Sequence, residues 1–107
     1  MPKFLIQATY TSEGTKGLLK DGASGRRAAV EQVVTDQGGT VEAMYFAFGE
    51  DDTVIIIDLP DPVSMAAISL AVKASGALRT RATPLLTIEE IDEAARRQVA
   101  FRSPGKQ

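Results

Sequence analysis

Hydrophobic positions along this chain recur with period two in four short stretches and with helical spacing between and after them. Phe4 to Tyr10 reads as a first strand, with Phe4, Ile6 and Ala8 on one face and Leu5, Gln7 and Thr9 on the other. Thr11 to Gly25 holds glycines at 14, 17, 22 and 25 around a short Leu18-Leu19 pair, and is expected to be a loop or a broken helical turn. Ser24 is then placed to cap a helix from about Gly25 to Gln37, with Ala29, Val30, Val33 and Val34 as its buried stripe. Gly38-Gly39 ends it.

Thr40 to Phe48 and Thr53 to Leu59 are two further strands joined through Gly49 to Asp52, the pattern of an antiparallel hairpin. The third strand holds Val54-Ile55-Ile56-Ile57 in a row. Side chains alternate across a strand, so such a run asks for cover on both faces of the sheet. Asp61 before Pro62 supplies an N-cap side chain and a proline at the first helical position. The helix it starts runs to about Ser75, has Lys73 as its one charged residue, and is expected to be buried on more than one side. After Gly76, Leu78 to Thr83 is a short fourth strand with Arg79 and Arg81 on one face and Leu78, Thr80 and Ala82 on the other. Thr87-Ile88-Glu89-Glu90 fits a capping box, and the helix from Ile88 to about Val99 presents Ile88, Ile91, Ala95 and Val99 as a stripe. Residues 102–107 read as a frayed tail.

The order is strand, helix, strand, strand, helix, strand, with a terminal helix. This predicts an α+β, ferredoxin-like βαββαβ domain over 1–107, with an antiparallel sheet of strand order 4-1-3-2 and both main helices on one face. The second face of the third strand then lies away from the helices, where a partner sheet or the terminal helix must cover it. Two such sheets packed face to face make a dimeric α/β barrel, so a homodimer or a higher even oligomer is expected.

Composition narrows the chemistry. At 107 residues and 44% hydrophobic content the chain has the size and core of one domain. Twelve basic against fourteen acidic residues, net charge -2, argue against nucleic acid or an anionic membrane as partner. No apolar run is long enough for a membrane span, and the N-terminus passes straight into strand pattern with no signal sequence, so a cytoplasmic location is expected. With no Cys there is no disulfide, thiolate nucleophile or Cys-type metal site, and with no His there is no imidazole base or His-based metal site. No cofactor is expected. Catalysis would have to use carboxylates, Lys, Arg, Tyr, Ser or Thr, or a hard cation held by oxygen ligands.

Several pieces of the chain, taken together, resemble the GYD-domain family: Tyr45-Phe46-Ala47-Phe48-Gly49-Glu50-Asp51-Asp52, then Leu59-Pro60-Asp61, Ser69-Leu70-Ala71 and Gly76-Ala77-Leu78-Arg79-Thr80. The resemblance runs from about Phe4 to Asp92. In the namesake Gly-Tyr-Asp triplet, Gly49 is followed by Glu50, Asp51 stands where the tyrosine would be, and Asp52 takes the aspartate place. The resemblance implies a ferredoxin-like dimeric fold and brings no reaction with it.

Three constellations could carry chemistry. Glu50-Asp51-Asp52 is either a hard-cation site or a solvated turn in which one carboxylate caps the backbone. Lys16 with Arg26 and Arg27 around a glycine-rich helix start is either a site for a small anion, carboxylate or phosphate, or a set of ion pairs with Asp21 or the acidic hairpin. Gln7, Thr9, Asp58 and Arg79, with Tyr45 nearby, place polar groups on apolar strands. They form either a structural ion pair between Asp58 and Arg79 or Arg81, or a pocket with Asp58 as base or ligand anchor. The leading reading is a homo-oligomeric module binding a small anionic or carbonyl ligand. A cofactor-independent isomerase, cyclase or lyase, with Asp58 as base and Arg79 stabilising an enolate, is the alternative. A purely structural assembly protein is the third.

Overall fold

The structure is a computed structural model that describes residues 1–105. Its elements are β1 (Lys3–Tyr10), α1 (Ser12–Asp36), β2 (Thr40–Phe46), β3 (Thr53–Asp58), α2 (Pro62–Ser75), β4 (Leu78–Leu85) and α3 (Ile88–Arg96). The strands form one antiparallel sheet in the order β2-β3-β1-β4, which is the expected 4-1-3-2 read from the other edge. The ferredoxin-like α+β arrangement read from the sequence is therefore the observed one.

Strand alternation decides the two faces. Phe4, Ile6 and Ala8 of β1 and Thr53, Ile55 and Ile57 of β3 are buried beneath the helices, while the residues between them are half-exposed on the other face. Val34 of α1 and Met65 and Ile68 of α2 complete the core with Leu59. The open face carries Leu5, Gln7 and Thr9, then Val54, Ile56 and Asp58, and at the edges Ala43 and Tyr45 of β2 and Arg79 and Arg81 of β4. Among the described residues, no helix of this chain covers that face. The strand β4 extends two residues past Thr83, through Pro84 to Leu85. Proline is tolerated there because β4 is an edge strand.

The first helix departs most from expectation. It begins at Ser12, not near Gly25, and its cap is Thr11, whose hydroxyl accepts from Gly14 N; Ser24 lies inside the helix. The segment expected as a loop or a broken helical turn is helical, broken at a single residue, Gly22, with φ 76° and ψ 165°, a conformation open to glycine. Tertiary anchoring outweighs the low helix propensity of four glycines. Thr11 N donates to Ala77 O at 3.0 Å and Thr11 Oγ1 to Gly76 O at 2.9 Å, tying the start of α1 to the turn between α2 and β4. A side chain at Gly14 would strike the carbonyl of Ala77, so the approach requires glycine. The other end of α1 closes as expected: Gly38 N donates to Thr35 O and Gly39 N to Val34 O, both at 2.9 Å, the two bonds of a Schellman motif.

Asp61 caps α2 as read, accepting from Ser64 N at 2.8 Å and Ser64 Oγ at 3.0 Å. These bonds, the backbone one foremost, hold its carboxyl below the ordinary value near 3.8. A lowered native pKa stabilises the fold fully above the ordinary value and ceases to do so as pH falls through the native one. The variant Asp61→Ser keeps a capping oxygen that does not titrate. Thermal melts from pH 6 down to pH 2 are expected to show the gap between wild type and Asp61→Ser closing in acid; parallel curves would reject this role.

Two helices are left with apolar surface. In α2, Met65 and Ile68 are buried but Val63 and Leu70 are exposed, so within one chain a single side of it is covered, where more than one was expected. In α3 the capping box forms as read, with Thr87 and Glu90 each accepting from the other's backbone N–H. The helix ends at Arg96 instead of near Val99, and none of its residues is buried: Ile88 is 77% exposed and Ile91 50%. The radius of gyration is 17.2 Å, against about 13 Å for a compact domain of this size, and the long dimension reaches 60 Å.

Candidate functional site

Antiparallel register sorts the polar groups of the open face into two separate ends. At one end Lys3 lies opposite Asp58 and donates to its Oδ1 at 2.9 Å, and to Glu42 Oε1 at 2.8 Å. A bulge between Val41 and Ala43 makes room for Glu42 in this trio. The two carboxylates, Glu42 first, raise the pKa of Lys3. The partner of Asp58 is thus Lys3, and neither Arg79 nor Arg81 as expected. Arg79 lies opposite Thr9, six residues further along β1, which is about 20 Å along the strands.

At the other end Gln7, Thr9 and Arg79 lie on the adjacent strands β1 and β4, while Tyr45 stands on the opposite edge strand β2, two strands from Gln7 and three from Arg79, and Asp51 folds over the sheet onto β1 and β4. Its carboxylate accepts from Gln7 Nε2 at 3.1 Å, Thr9 Oγ1 at 3.4 Å and Arg81 Nη2 at 2.7 Å, and its side chain is 16% exposed. Asp52 turns the other way and caps the end of β1, accepting from Tyr10 N at 2.8 Å. The acidic hairpin therefore works as turn and sheet anchor. Among the described residues no group of three or more acids is placed to hold a metal ion. The pocket expected around Asp58 is divided: the register keeps Asp58 from the other four residues, and Gln7 and Thr9 already serve an internal carboxylate. The sequence signal for Asp51 was its position, where the family triplet has tyrosine.

The helix side of the sheet holds the more open site. α2 lies over β4 and α1 over β2, which leaves a groove between the helices floored by Ile6, Ala8 and Ile55. An inner cavity of about 190 Å³ is walled by Val30, Val34, Met65 and Ile68. An outer one of about 380 Å³ is bordered by Tyr10, Glu13, Gly17, Leu18, Asp21 and Ser75. Arg26, Val33, Ile68, Val72 and Leu78 line both. The outer volume lies in the range of small-ligand sites.

Arg26 is the polar group at the junction. Its Nε is buried and has no hydrogen-bond partner. Thr53 Oγ1, likewise buried without a partner, borders neither cavity. The rest of the anion constellation separates: Arg27 is exposed and pairs with Glu31 at 3.2 Å, one turn along, and Lys16 is exposed and lines neither cavity. Because α1 starts at Ser12, the two arginines lie in its body just past the Gly22 break and not at its N-terminus. Neither pairs with Asp21 or the hairpin. Gly17 was not singled out by the sequence reading; a Cβ there would meet nothing within 4 Å, since it borders open space.

Among the described residues, no helix is long and apolar enough to cross a membrane. The GYD domain family model matches residues 4–95, so the chain belongs to that family. No curated protein and no solved structure matches it.

Proposed function

We propose that this GYD-domain chain is a small-molecule binding module that takes an anionic ligand with an apolar body in the groove between α1, α2 and the sheet, and that it acts as a homo-oligomer. The observation that carries the ligand reading is the buried, unpartnered Arg26 Nε at a cavity whose other lining residues are apolar apart from Ser69 and Thr80. A buried donor without an acceptor costs free energy, the more so on a charged group, and a ligand carboxylate would supply the acceptor. The apolar walls would take the rest of the molecule. The enzymatic alternative is weakened, because Asp58 is engaged by Lys3 and stands far from Arg79. Self-association is supported by the open sheet face and by the exposed apolar stripe of α3.

The test is thermal stabilisation by hexanoate and by 3-phenylpropanoate. At ten times Kd a ligand of the native state adds about 1.4 kcal/mol, or about 6 °C in Tm. Wild type and Arg27→Ala are expected to show this rise and Arg26→Gln to lose most of it. An equal rise in Arg26→Gln, or none in wild type, would count against the groove.

A further inference from the structure

We infer that the ligand of the groove is a zwitterion, an apolar α-amino acid, with its carboxylate on Arg26, its ammonium toward Glu13 and Asp21, and its side chain in the inner cavity. This rests on the groove reading above and adds the class of ligand.

The outer cavity brings three charged side chains around one space: Arg26 at its junction with the inner cavity, and Glu13 and Asp21 at its border. The acids come from either end of the first segment of α1, which the Gly22 break separates from the segment carrying Arg26. The kink is thus what lets residues 13, 21 and 26 of one helix border the same cavity. Neither acid has a hydrogen-bond or ion-pair partner among the described residues.

These charges choose between ligand classes. A simple carboxylate would gain Arg26 but would sit beside two acids of its own sign. An amine would gain the acids but leave Arg26 Nε without an acceptor. A molecule with ammonium and carboxylate on the same carbon is neutral overall and answers both, since opposite charges within a few ångströms favour each other and like charges do not. The division of the groove matches such a molecule. Its charged end belongs in the outer cavity, and the inner one is floored by Ile6, Ala8 and Ile55 and roofed by Val34 and Met65, suited to a branched aliphatic or benzyl side chain. Besides Arg26, the polar lining there is limited to Ser69 and Thr80, so a side chain with several polar groups would be left under-bonded.

The experiment is calorimetric titration of the full chain at pH 7 with L-leucine and L-phenylalanine. Alongside go 4-methylpentanoate and 3-phenylpropanoate, which lack the ammonium, and 3-methylbutylamine and 2-phenylethylamine, which lack the carboxylate. The amino acids are expected to bind at least tenfold more tightly than either set. The double variant Glu13→Gln, Asp21→Asn, both at exposed positions and so compatible with folding, should bring amino acid and deaminated acid to similar affinity. Arg26→Gln should lose both. Deaminated acids binding as tightly as the amino acids to wild type would overturn the zwitterion while leaving the anion groove in place. Binding by none of the six would overturn the groove itself.

Discussion

The variant Ile56→Lys is expected to fold and fail to self-associate, whereas Ile57→Lys, one residue on, is expected not to fold. The two side chains leave β3 on opposite faces. Ile57 is 0% exposed, flanked by Phe4 on β1 and Val41 on β2 beneath the helices. A lysine there would bury an unpaired charge, whose cost of several kcal/mol is comparable with the whole stability of a small domain, about 5–15 kcal/mol. Ile56 stands on the open face between Leu5 and Ala43 and keeps part of its surface in water. An ammonium at 56 reaches solvent in the single chain, so the fold survives. It would be buried only where a second copy covers the face, in an interface of at least about 1,200 Å². Circular dichroism reads the first effect and sedimentation velocity at micromolar concentration the second. A monomeric wild type, or Ile56→Lys associating like wild type, would remove the case for assembly through this face.

Gly14→Val is expected to lower stability by about 1–3 kcal/mol, the scale of overpacking a closed contact, and to abolish ligand binding with it. The added Cβ would collide with the Ala77 carbonyl oxygen and come within 3.0 Å of Ala77 C and Tyr10 Cδ1. Relief requires the start of α1 to move off the α2–β4 turn, breaking the Thr11 bonds to Gly76 and Ala77. The outer cavity loses its wall in the same movement, since Tyr10, Gly14 and Ala77 all border it. Gly17→Leu, one turn along, separates the two effects. It meets no atom within 4 Å at Cβ and replaces the weakest ordinary helix former, so the chain should keep or gain stability. Its side chain would enter the outer cavity and compete with the ligand. Urea denaturation and calorimetry on both variants read the contrast, and a Gly14→Val chain as stable as wild type would refute the close approach.

Within the sequence alone, the signals confined to a few neighbouring residues were legible. Alternation in Phe4–Tyr10 and the aliphatic run in Thr53–Asp58 marked the central strands, and the order of elements was enough for the 4-1-3-2 sheet. Asp61-Pro62, Thr87 with Glu90, and Gly38-Gly39 marked helix ends because capping joins groups three to five residues apart. The start of α1 was hidden, since four glycines argue locally against a helix that is held by the turn at Gly76 and Ala77, more than sixty residues away. The site was hidden for the same reason. That Arg26, Asp51 and Asp58 carry charge is written in the sequence. That Asp58 meets Lys3, that Asp51 gathers Gln7, Thr9 and Arg81, and that Arg26 turns a buried nitrogen into an apolar groove were decided by strand register and helix placement. Both depend on contacts across the folded chain, where a shift of one residue moves a side chain to the other face of the sheet.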